Sequence, residues 1–226
     1  MIFMIAIPKN KKILFFSPHP DDDVMSSGAL IYTLVKNKNK ITCIYFTFSP
    51  KGVARNIPIK EKIKIRKGEA KKACKVLGSK PLFLGFDSRN FKYNKENVKK
   101  IINLLRKKKP DIIFIPPKND VHPTHKKVSK IVLKATEYTK VKEKWFYETW
   151  TPLERPNFIF FFNENLMKIK INALKQHKTQ IERMDFITSI KAFNIYRGIM
   201  GTELLGGFGK SYKIKKKYGE AFLVIK

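Results

Sequence analysis

The sequence predicts an α/β fold in which a mostly parallel sheet is covered by helices on both faces. Short apolar segments, rich in β-branched and aromatic residues, alternate with longer segments of helical periodicity along the chain. Such alternation is typical of right-handed βαβ units, whose helices cover both faces of a parallel sheet. Polar residues directly follow two of the apolar segments, at the strand ends where open parallel sheets bind their ligands.

Each expected element rests on a run of residues with the matching period. The strands are predicted at 12–17, 41–48, 81–86, 111–116, 144–150 and 158–162. The helices are predicted at 24–37, 60–77, 95–108, 123–139, 165–180 and 186–200. No internal repeat or long polar linker divides the 226 residues, so we expect one domain over residues 1–226. Its predicted architecture is a three-layer, Rossmann-like sandwich.

The formal net charge of +30 at pH 7 is the most unusual feature of the composition. Nucleic acid, an anionic membrane or an acidic substrate would each suit such a charge. Lysine is spread widely, however, and frequent Lys, Ile, Asn and Phe together are typical of an AT-rich coding bias. The lysine runs are therefore interpreted as solvated surface, which disfavours a nucleic-acid partner. Peripheral contact with anionic lipid and assembly into a homo-oligomer stay open.

The targeting and cysteine patterns favour a cytoplasmic protein. No apolar stretch approaches the roughly 18 residues that span a bilayer. The apolar segment 1–7 is too short for the core of a secretory signal. Cys43 falls in a predicted strand and Cys74 in a predicted helix, a spacing that indicates buried, reduced thiols.

The first predicted strand ends in a cluster of ionisable residues. His19, Asp21 and Asp22 follow the apolar run within a few positions, before a helical pattern begins at about residue 24. Burying three such groups is unfavourable without a partner, and a divalent cation is a suitable one. The alternative is that Asp21 or Asp22 only caps the following helix, where carboxylates are favoured.

A second cluster follows the strand predicted at 111–116. His122 and His125 lie three residues apart around Pro123, so both face the same side of the helix that starts there. The chain has four histidines, and three of them lie in these two strand-end loops. His19, Asp22 and His125 would form a set with open coordination positions, which is typical of catalytic and not of structural zinc sites. For His122 alone, a surface histidine at a helix start is the alternative.

Together these motifs resemble those of the LmbE-like (PIG-L) family of zinc-dependent N-acetylglucosaminyl deacetylases. The resemblance rests first on the segments 18–23 and 122–125. Other segments resemble the family too: Arg66 with Glu69, Ala70 and Ala73, then 84–87, 147–152, 176–180 and 218–222.

The resemblance implies a role for seven side chains. Three of them match the ligands of one Zn²⁺ per chain, or of another divalent metal such as Fe²⁺: His19, Asp22 and His125. Asp21 matches the general base, and His122 the histidine that stabilises the oxyanion. Arg66 and Asp87 match sugar contacts; the alternatives are a pair with Glu69 on a solvated helix face for Arg66, and a turn residue for Asp87.

Two positions depart from the family pattern. Asp23 stands where Glu is usual, so a carboxylate that orients His19 would have a shorter reach. Thr124 stands where Asp is frequent; an Asp there would favour the imidazolium form of His122, and Asp120 is a candidate substitute.

The expected function is metal-dependent removal of an acetyl group from an N-acetylated amino sugar, either a small molecule or a glycolipid. A metal-activated water would attack the amide carbonyl, Asp21 would take its proton, and protonated His122 would stabilise the oxyanion. Two alternatives stay open: a non-haem iron enzyme with the same ligand set, and a basic nucleic-acid-binding protein without catalysis.

Overall fold

The computed structural model describes residues 6–209 and 216–226, and its centre is one sheet of seven strands. The strands are β1 (Lys12–Ser17), β2 (Lys40–Thr47), β3 (Lys80–Phe86), β4 (Ile112–Ile115), β5 (Glu143–Tyr147), β6 (Phe158–Phe162) and β7 (Tyr218–Ile225). The α-helices are α1 (Asp22–Lys36), α2 (Ile59–Leu77), α3 (Lys95–Lys108), α4 (Pro123–Thr136), α5 (Glu164–Leu174), α6 (Lys178–Arg183) and α7 (Phe186–Gly206). A short 3₁₀ turn spans Pro50–Gly52.

The strand order across the sheet is β3-β2-β1-β4-β5-β7-β6. Strands β1 to β5 pair in parallel, as the alternation of strands and helices predicts. The last strand of the sequence, β7, lies antiparallel between β5 and β6. Because β1 and β4 are parallel neighbours, the loops that follow them leave the same edge of the sheet side by side.

Alternating residues of β1 supply two separate apolar cores. Ile13 and Phe15 face one side, where they belong to a core that includes residues of α1, α2 and α5. Leu14 and Phe16 face the other side and pack in a core with residues of α3 and α4. The predicted three-layer sandwich, with helices on both faces of a mostly parallel sheet, is therefore confirmed.

All six predicted strands are present, whereas β7 was not predicted. Its sequence begins Tyr-Gly-Glu, and both Gly219 and Glu220 are residue types depleted in strands. Here the packing overrides that preference. A Cβ at Gly219 would lie 2.9 Å from the backbone of Arg197, so only glycine allows α7 to approach this closely.

The helix predicted at 165–180 is wrong in one respect, because it is divided into α5 and α6. In an unbroken helix the N–H of Thr179 would donate to the carbonyl four residues earlier. It donates instead to Oε1 of the buried Glu69 on α2, at 2.8 Å, and the Thr179 hydroxyl donates to Oε2 at 2.8 Å. The break therefore depends on a residue more than a hundred positions away, which local periodicity does not report.

A buried ion pair fixes a kink in α1. The helix is interrupted at Ser27, and the backbone N–H groups of Ala29 and Leu30 donate to the two carboxylate oxygens of Glu220, at 3.0 and 2.8 Å. Nζ of Lys170 on α5 lies 2.7 Å from the same carboxylate, and both side chains are fully buried. Glu220 therefore caps the second half of α1 from the neighbouring strand.

Among the helices of the described residues, none combines the length and the apolar character that crossing a membrane requires.

Candidate active site

Three side chains that follow strands β1 and β4 come together at the edge of the sheet where these strands end. Nδ1 of His19 lies 3.3 Å from Oδ2 of Asp22, and Nε2 of His125 lies 3.3 Å from the same oxygen. The two ring nitrogens are also 3.3 Å apart. Tetrahedral zinc with bonds of about 2.0–2.1 Å separates its nitrogen and oxygen ligands by about 3.3–3.4 Å. The three atoms therefore fit the ligand positions of one ion.

The Asp22 carboxylate is held in place by the backbone as well as by the imidazoles. The N–H of His19 donates to Oδ2 of Asp22 at 2.8 Å, which closes a short loop around the end of β1. Neither Asp22 nor His125 is exposed to any appreciable extent, and His19 is nearly buried. The open side of the set faces the cavity described below.

Asp120 contacts the ring nitrogen of His125 that is not part of the candidate ligand set. Oδ2 of Asp120 lies 3.4 Å from Nδ1 of His125, and both side chains are fully buried. Oδ1 of Asp120 accepts the backbone N–H of His122 at 2.8 Å. A carboxylate beside Nδ1 favours the tautomer that leaves Nε2 free as a metal ligand. The sequence suggested Asp120 only as a partner of the His122 ring, so its role at His125 was missed.

Charges within the cluster shift two pKa values in opposite directions. Burial raises the pKa of Asp22, but the adjacent His125 and His19 outweigh it and hold that pKa well below its ordinary range. Burial lowers the pKa of His125, but Asp22 and Asp120 outweigh it and raise it to about 10. In the metal-free chain His125 is therefore an imidazolium, and a metal must displace its proton to bind.

Stability of the metal-free protein should consequently decrease at alkaline pH. The folded pKa of His125 is about 10, above the ordinary 6.5, so its contribution is full below pH 6.5 and lost as the pH rises to 10. We expect the thermal midpoint of chelator-treated protein to fall over this interval. Asp120→Asn removes one anionic partner, so its midpoint should start lower and fall less. Superimposable pH profiles for the two proteins would contradict this account.

Asp21 precedes α1, but its side chain does not cap that helix. Its Oδ2 accepts instead from Nη2 of Arg66 on α2, at 3.2 Å. The side chain is largely buried and borders the same cavity as His19. The capping alternative for Asp21 is therefore wrong, and its carboxylate is held by a guanidinium beside the candidate metal ligands.

Arg66 is buried, with 1% of its surface exposed, so the alternative of a solvated helix face is wrong. Nη1 of Arg66 lies 3.6 Å from Oε2 of Glu69, which in turn holds Thr179 at the start of α6. Nε and Nη1 of Arg66 have no hydrogen-bond partner within the described part of the chain. Both nitrogens are shielded, so it is only the bordering of the cavity by Arg66 that supports the predicted sugar contact, which stays a prediction.

His122 precedes α4, and its ring lies edge-on to that of His19, with centroids 4.7 Å apart. Nδ1 of His122 accepts the backbone N–H of Thr124 at 3.2 Å, so the proton resides on Nε2. Burial and the charges of His19 and His125 lower its pKa to about 4. This pKa and the contact with Thr124 favour a neutral ring with its proton on Nε2, and the expected role of His122 at the oxyanion stays a prediction. Thr124 contacts His122 through its backbone N–H.

The cavity beside these groups has a volume of about 330 Å³. Its wall includes polar side chains of the carboxy-terminal half, such as Gln180 and Arg183, and the aromatic rings of Trp150 and Phe186. Trp150 is 41% exposed and its ring centroid lies 6.3 Å from that of His122. A polar cavity with an aromatic wall suits a sugar-sized ligand. Of the two tryptophans, Trp145 is fully buried, whereas Trp150 lies in the cavity wall.

Asp87 does not border this cavity. It lines a neighbouring one of about 390 Å³, between the end of β3 and α2, and Lys51 borders both. The Asp87 carboxylate is exposed and accepts from Arg89, with its Oδ2 3.3 Å from Nη2 of that residue. Its predicted contact with a sugar stays a prediction, and it requires a ligand that extends beyond the first cavity.

Asp23 faces away from His19. It lies in the first turn of α1, is fully buried, and accepts a hydrogen bond from the hydroxyl of Tyr45 on β2 at 2.8 Å. The expectation that Asp23 orients His19 is therefore not met, because Asp22 contacts that ring instead.

Comparison with known proteins adds a family assignment to this geometry. Residues 14–136 match the family model described as "PIG-L: GlcNAc-PI de-N-acetylase". The chain is 24% identical over 202 residues to a diacetylchitobiose deacetylase of Thermococcus kodakarensis, covering 79% of this chain and 74% of the relative. It is 27% identical over 189 residues to a probable N-acetyl-α-D-glucosaminyl L-malate deacetylase of Bacillus cereus, covering 77% and 86%. Among solved structures, an N,N'-diacetylchitobiose deacetylase from Pyrococcus horikoshii matches with a TM-score of 0.80 at 23% identity, covering 95% of this chain and 84% of that one.

Proposed function

Because the chain belongs to the PIG-L (LmbE-like) family, we propose that it removes the acetyl group from an N-acetylated amino sugar. The observation that carries the proposal is the triangle of three ligand atoms, each 3.3 Å from the others, beside the Asp21 carboxylate. The similarity to two relatives named as deacetylases of N-acetylated sugars supports it.

We assign zinc as the metal, held by His19, Asp22 and His125. Two imidazoles and one carboxylate form a set typical of catalytic zinc, with a position left for water. When bound, the ion supplies a hydroxide-like water at neutral pH and polarises the amide carbonyl.

Asp21 is the general base in this proposal. The Arg66 guanidinium, with Nη2 3.2 Å from Oδ2, holds this carboxylate at the cavity beside the proposed metal ligands. Asp21 accepts the proton of the attacking water, and returns it to the nitrogen of the leaving amine as the carbon–nitrogen bond breaks. Acetate and a free amino sugar are released.

His122 stabilises the negative charge that develops on the carbonyl oxygen. Its Nε2–H is the free donor, because Nδ1 already accepts from Thr124. A neutral donor held by the helix start needs no reorganisation during the reaction. Arg66, which borders the cavity, and Asp87, at the next cavity, are the proposed contacts of the sugar hydroxyls.

The substrate class follows from the chemistry that the relatives share. Diacetylchitobiose and N-acetylglucosaminyl malate, which the names of the two relatives specify, both carry an acetamido group on a glucosamine ring. We propose an N-acetylglucosamine derivative, with its remaining portion directed from the first cavity toward the one that Asp87 lines.

The proposal is tested by acetate release from purified, zinc-loaded protein. N-acetylglucosamine, diacetylchitobiose and an N-acetylglucosaminyl lipid are the substrates, and glucose-based analogues without the acetamido group are controls. We expect acetate from at least one N-acetyl sugar, and none from the His125→Ala protein. Zinc-loaded, folded protein that releases no acetate from any of them would contradict the proposal.

Substitutions of His122 test whether its side chain acts as a neutral hydrogen-bond donor or as an imidazolium cation. His122→Ala should lower kcat by about 10²–10³-fold, the usual loss when one oxyanion donor is removed. His122→Gln keeps an uncharged N–H donor and should retain clearly more activity than Ala. Zinc content should be unchanged in both variants. Equal activity of the Gln and Ala proteins would contradict the neutral-donor role, and loss of zinc would make His122 a ligand.

A further inference from the structure

A second group of metal-ligating side chains lies in the core and does not border the cavity. One donor atom of each of Asp23, Cys43 and Cys74 lies within 4.8 Å of the other two. These residues come from α1, β2 and α2, and all three are fully buried. The reaction proposed above uses none of them.

The carboxylate of Asp23 is incompletely satisfied within the described residues. Oδ2 accepts from the hydroxyl of Tyr45 at 2.8 Å, whereas Oδ1 has no hydrogen-bond partner there. Burying a carboxylate is unfavourable unless it is paired, hydrogen-bonded or bound to a metal. The carboxylate also contacts the Cys43 thiol, a weak donor, and its unpaired Oδ1 is an independent sign that a ligand belongs here.

The thiols form no disulfide, and their hydrogen bonds involve weak partners. Sγ of Cys43 lies 3.6 Å from Oγ of Ser79, and Sγ of Cys74 lies 3.2 Å from the hydroxyl oxygen of Tyr45. The two thiols also hydrogen-bond to each other. Thiolates select zinc over magnesium or calcium, which prefer oxygen ligands.

We propose that Asp23, Cys43 and Cys74 form a second, structural zinc site, with the Tyr45 hydroxyl as the fourth neighbour of the ion. Binding would release the two thiol protons, so that two thiolates and one carboxylate face the dication. Tetrahedral zinc with Zn–S bonds of about 2.3 Å holds such ligands about 3.5–3.8 Å apart, so the group must contract by at most about 1 Å. The ion would join α1, β2 and α2 directly behind the catalytic cluster.

The two zinc sites can be separated because they share no ligand. His125→Ala removes a ligand of the catalytic site only, and Cys74→Ala a ligand of the second site only. Zinc is supplied during expression, because a fully buried site must be filled before the chain finishes packing. After gel filtration, metal analysis should find two zinc ions in the wild-type chain, one in each single variant and none in the double variant.

Cobalt in place of zinc identifies the ligands without reference to activity. His125→Ala protein expressed with cobalt should show thiolate-to-cobalt charge-transfer absorption, and the added Cys74→Ala change should abolish it. Ser79→Ala, a change beside Cys43 that removes no proposed ligand, is the matched control and should keep the absorption. If Cys74→Ala does not fold by circular dichroism, Cys43→Ser serves in its place.

Two results would overturn the second site. One is a folded His125→Ala protein that contains no metal after expression with zinc. The other is bound cobalt without thiolate absorption. Neither result bears on acetate release, so failure of this inference leaves the proposed deacetylase activity standing.

Discussion

Asp21→Asn is expected to lower kcat by about 10²–10⁴-fold while the protein keeps its zinc, because the change removes the proton acceptor but no metal ligand. The amide still accepts a hydrogen bond from Arg66, whose Nη2 lies 3.2 Å from the native carboxylate, so the surrounding structure should hold. The measurement is kcat with an N-acetyl sugar, together with zinc content on the same sample. Asp21→Ala should lose as much activity.

His125→Ala is the matched comparison, since it removes a proposed ligand within the same cluster. It should lose both turnover and the catalytic zinc. If Asp21→Asn lost zinc to the same extent, Asp21 would be a ligand and another group would have to act as base. A kcat close to that of the wild type, with zinc retained, would remove Asp21 from the reaction altogether.

Glu220→Ala should lower the free energy of unfolding by about 3–5 kcal/mol, the usual result of removing one partner from a buried ion pair. It leaves the fully buried Lys170 ammonium without its counter-ion. It also removes the acceptor of two backbone N–H groups, those of Ala29 and Leu30. Urea unfolding followed by circular dichroism measures the change.

Two further variants test this account of the ion pair. Glu220→Gln keeps an oxygen for the backbone of α1 but loses the charge, so it should be less destabilised than Glu220→Ala. Adding Lys170→Met to Glu220→Gln removes the unpaired ammonium and should restore part of the lost stability. If the double variant were no more stable than Glu220→Gln alone, the charge of Lys170 would not be the source of the loss.

Much of the candidate site could be predicted because its residues lie at strand ends. Parallel strands that are neighbours in a sheet end at the same edge, so the polar residues after β1 and β4 had to meet there. The spacing of His122 and His125 around Pro123 also predicted that these two side chains lie on the same side of α4, and their ring centroids are 4.8 Å apart. Local sequence therefore sufficed to place His19, Asp22 and His125 within reach of one ion.

Features that depend on distant partners could not be predicted in the same way. The break between α5 and α6 exists because Glu69 binds Thr179, and β7 contains a buried Glu220 because Lys170 meets it. In both cases a long-range polar contact overrides local preference. For Asp87 the local motif alone did not suffice to place the side chain. The motif is present, but the carboxylate contacts Arg89 and lies outside the first cavity.

The position of β7 has a consequence for how the chain acquires its structure. Among the described strands, β6 pairs only with β7, so it cannot join the growing sheet until β7 has been made and has inserted beside β5. That same strand also carries Glu220, whose carboxylate caps the second half of α1. During synthesis, which proceeds from the amino terminus, the nascent segment from 158 to 206 must therefore wait with its apolar strand unpaired.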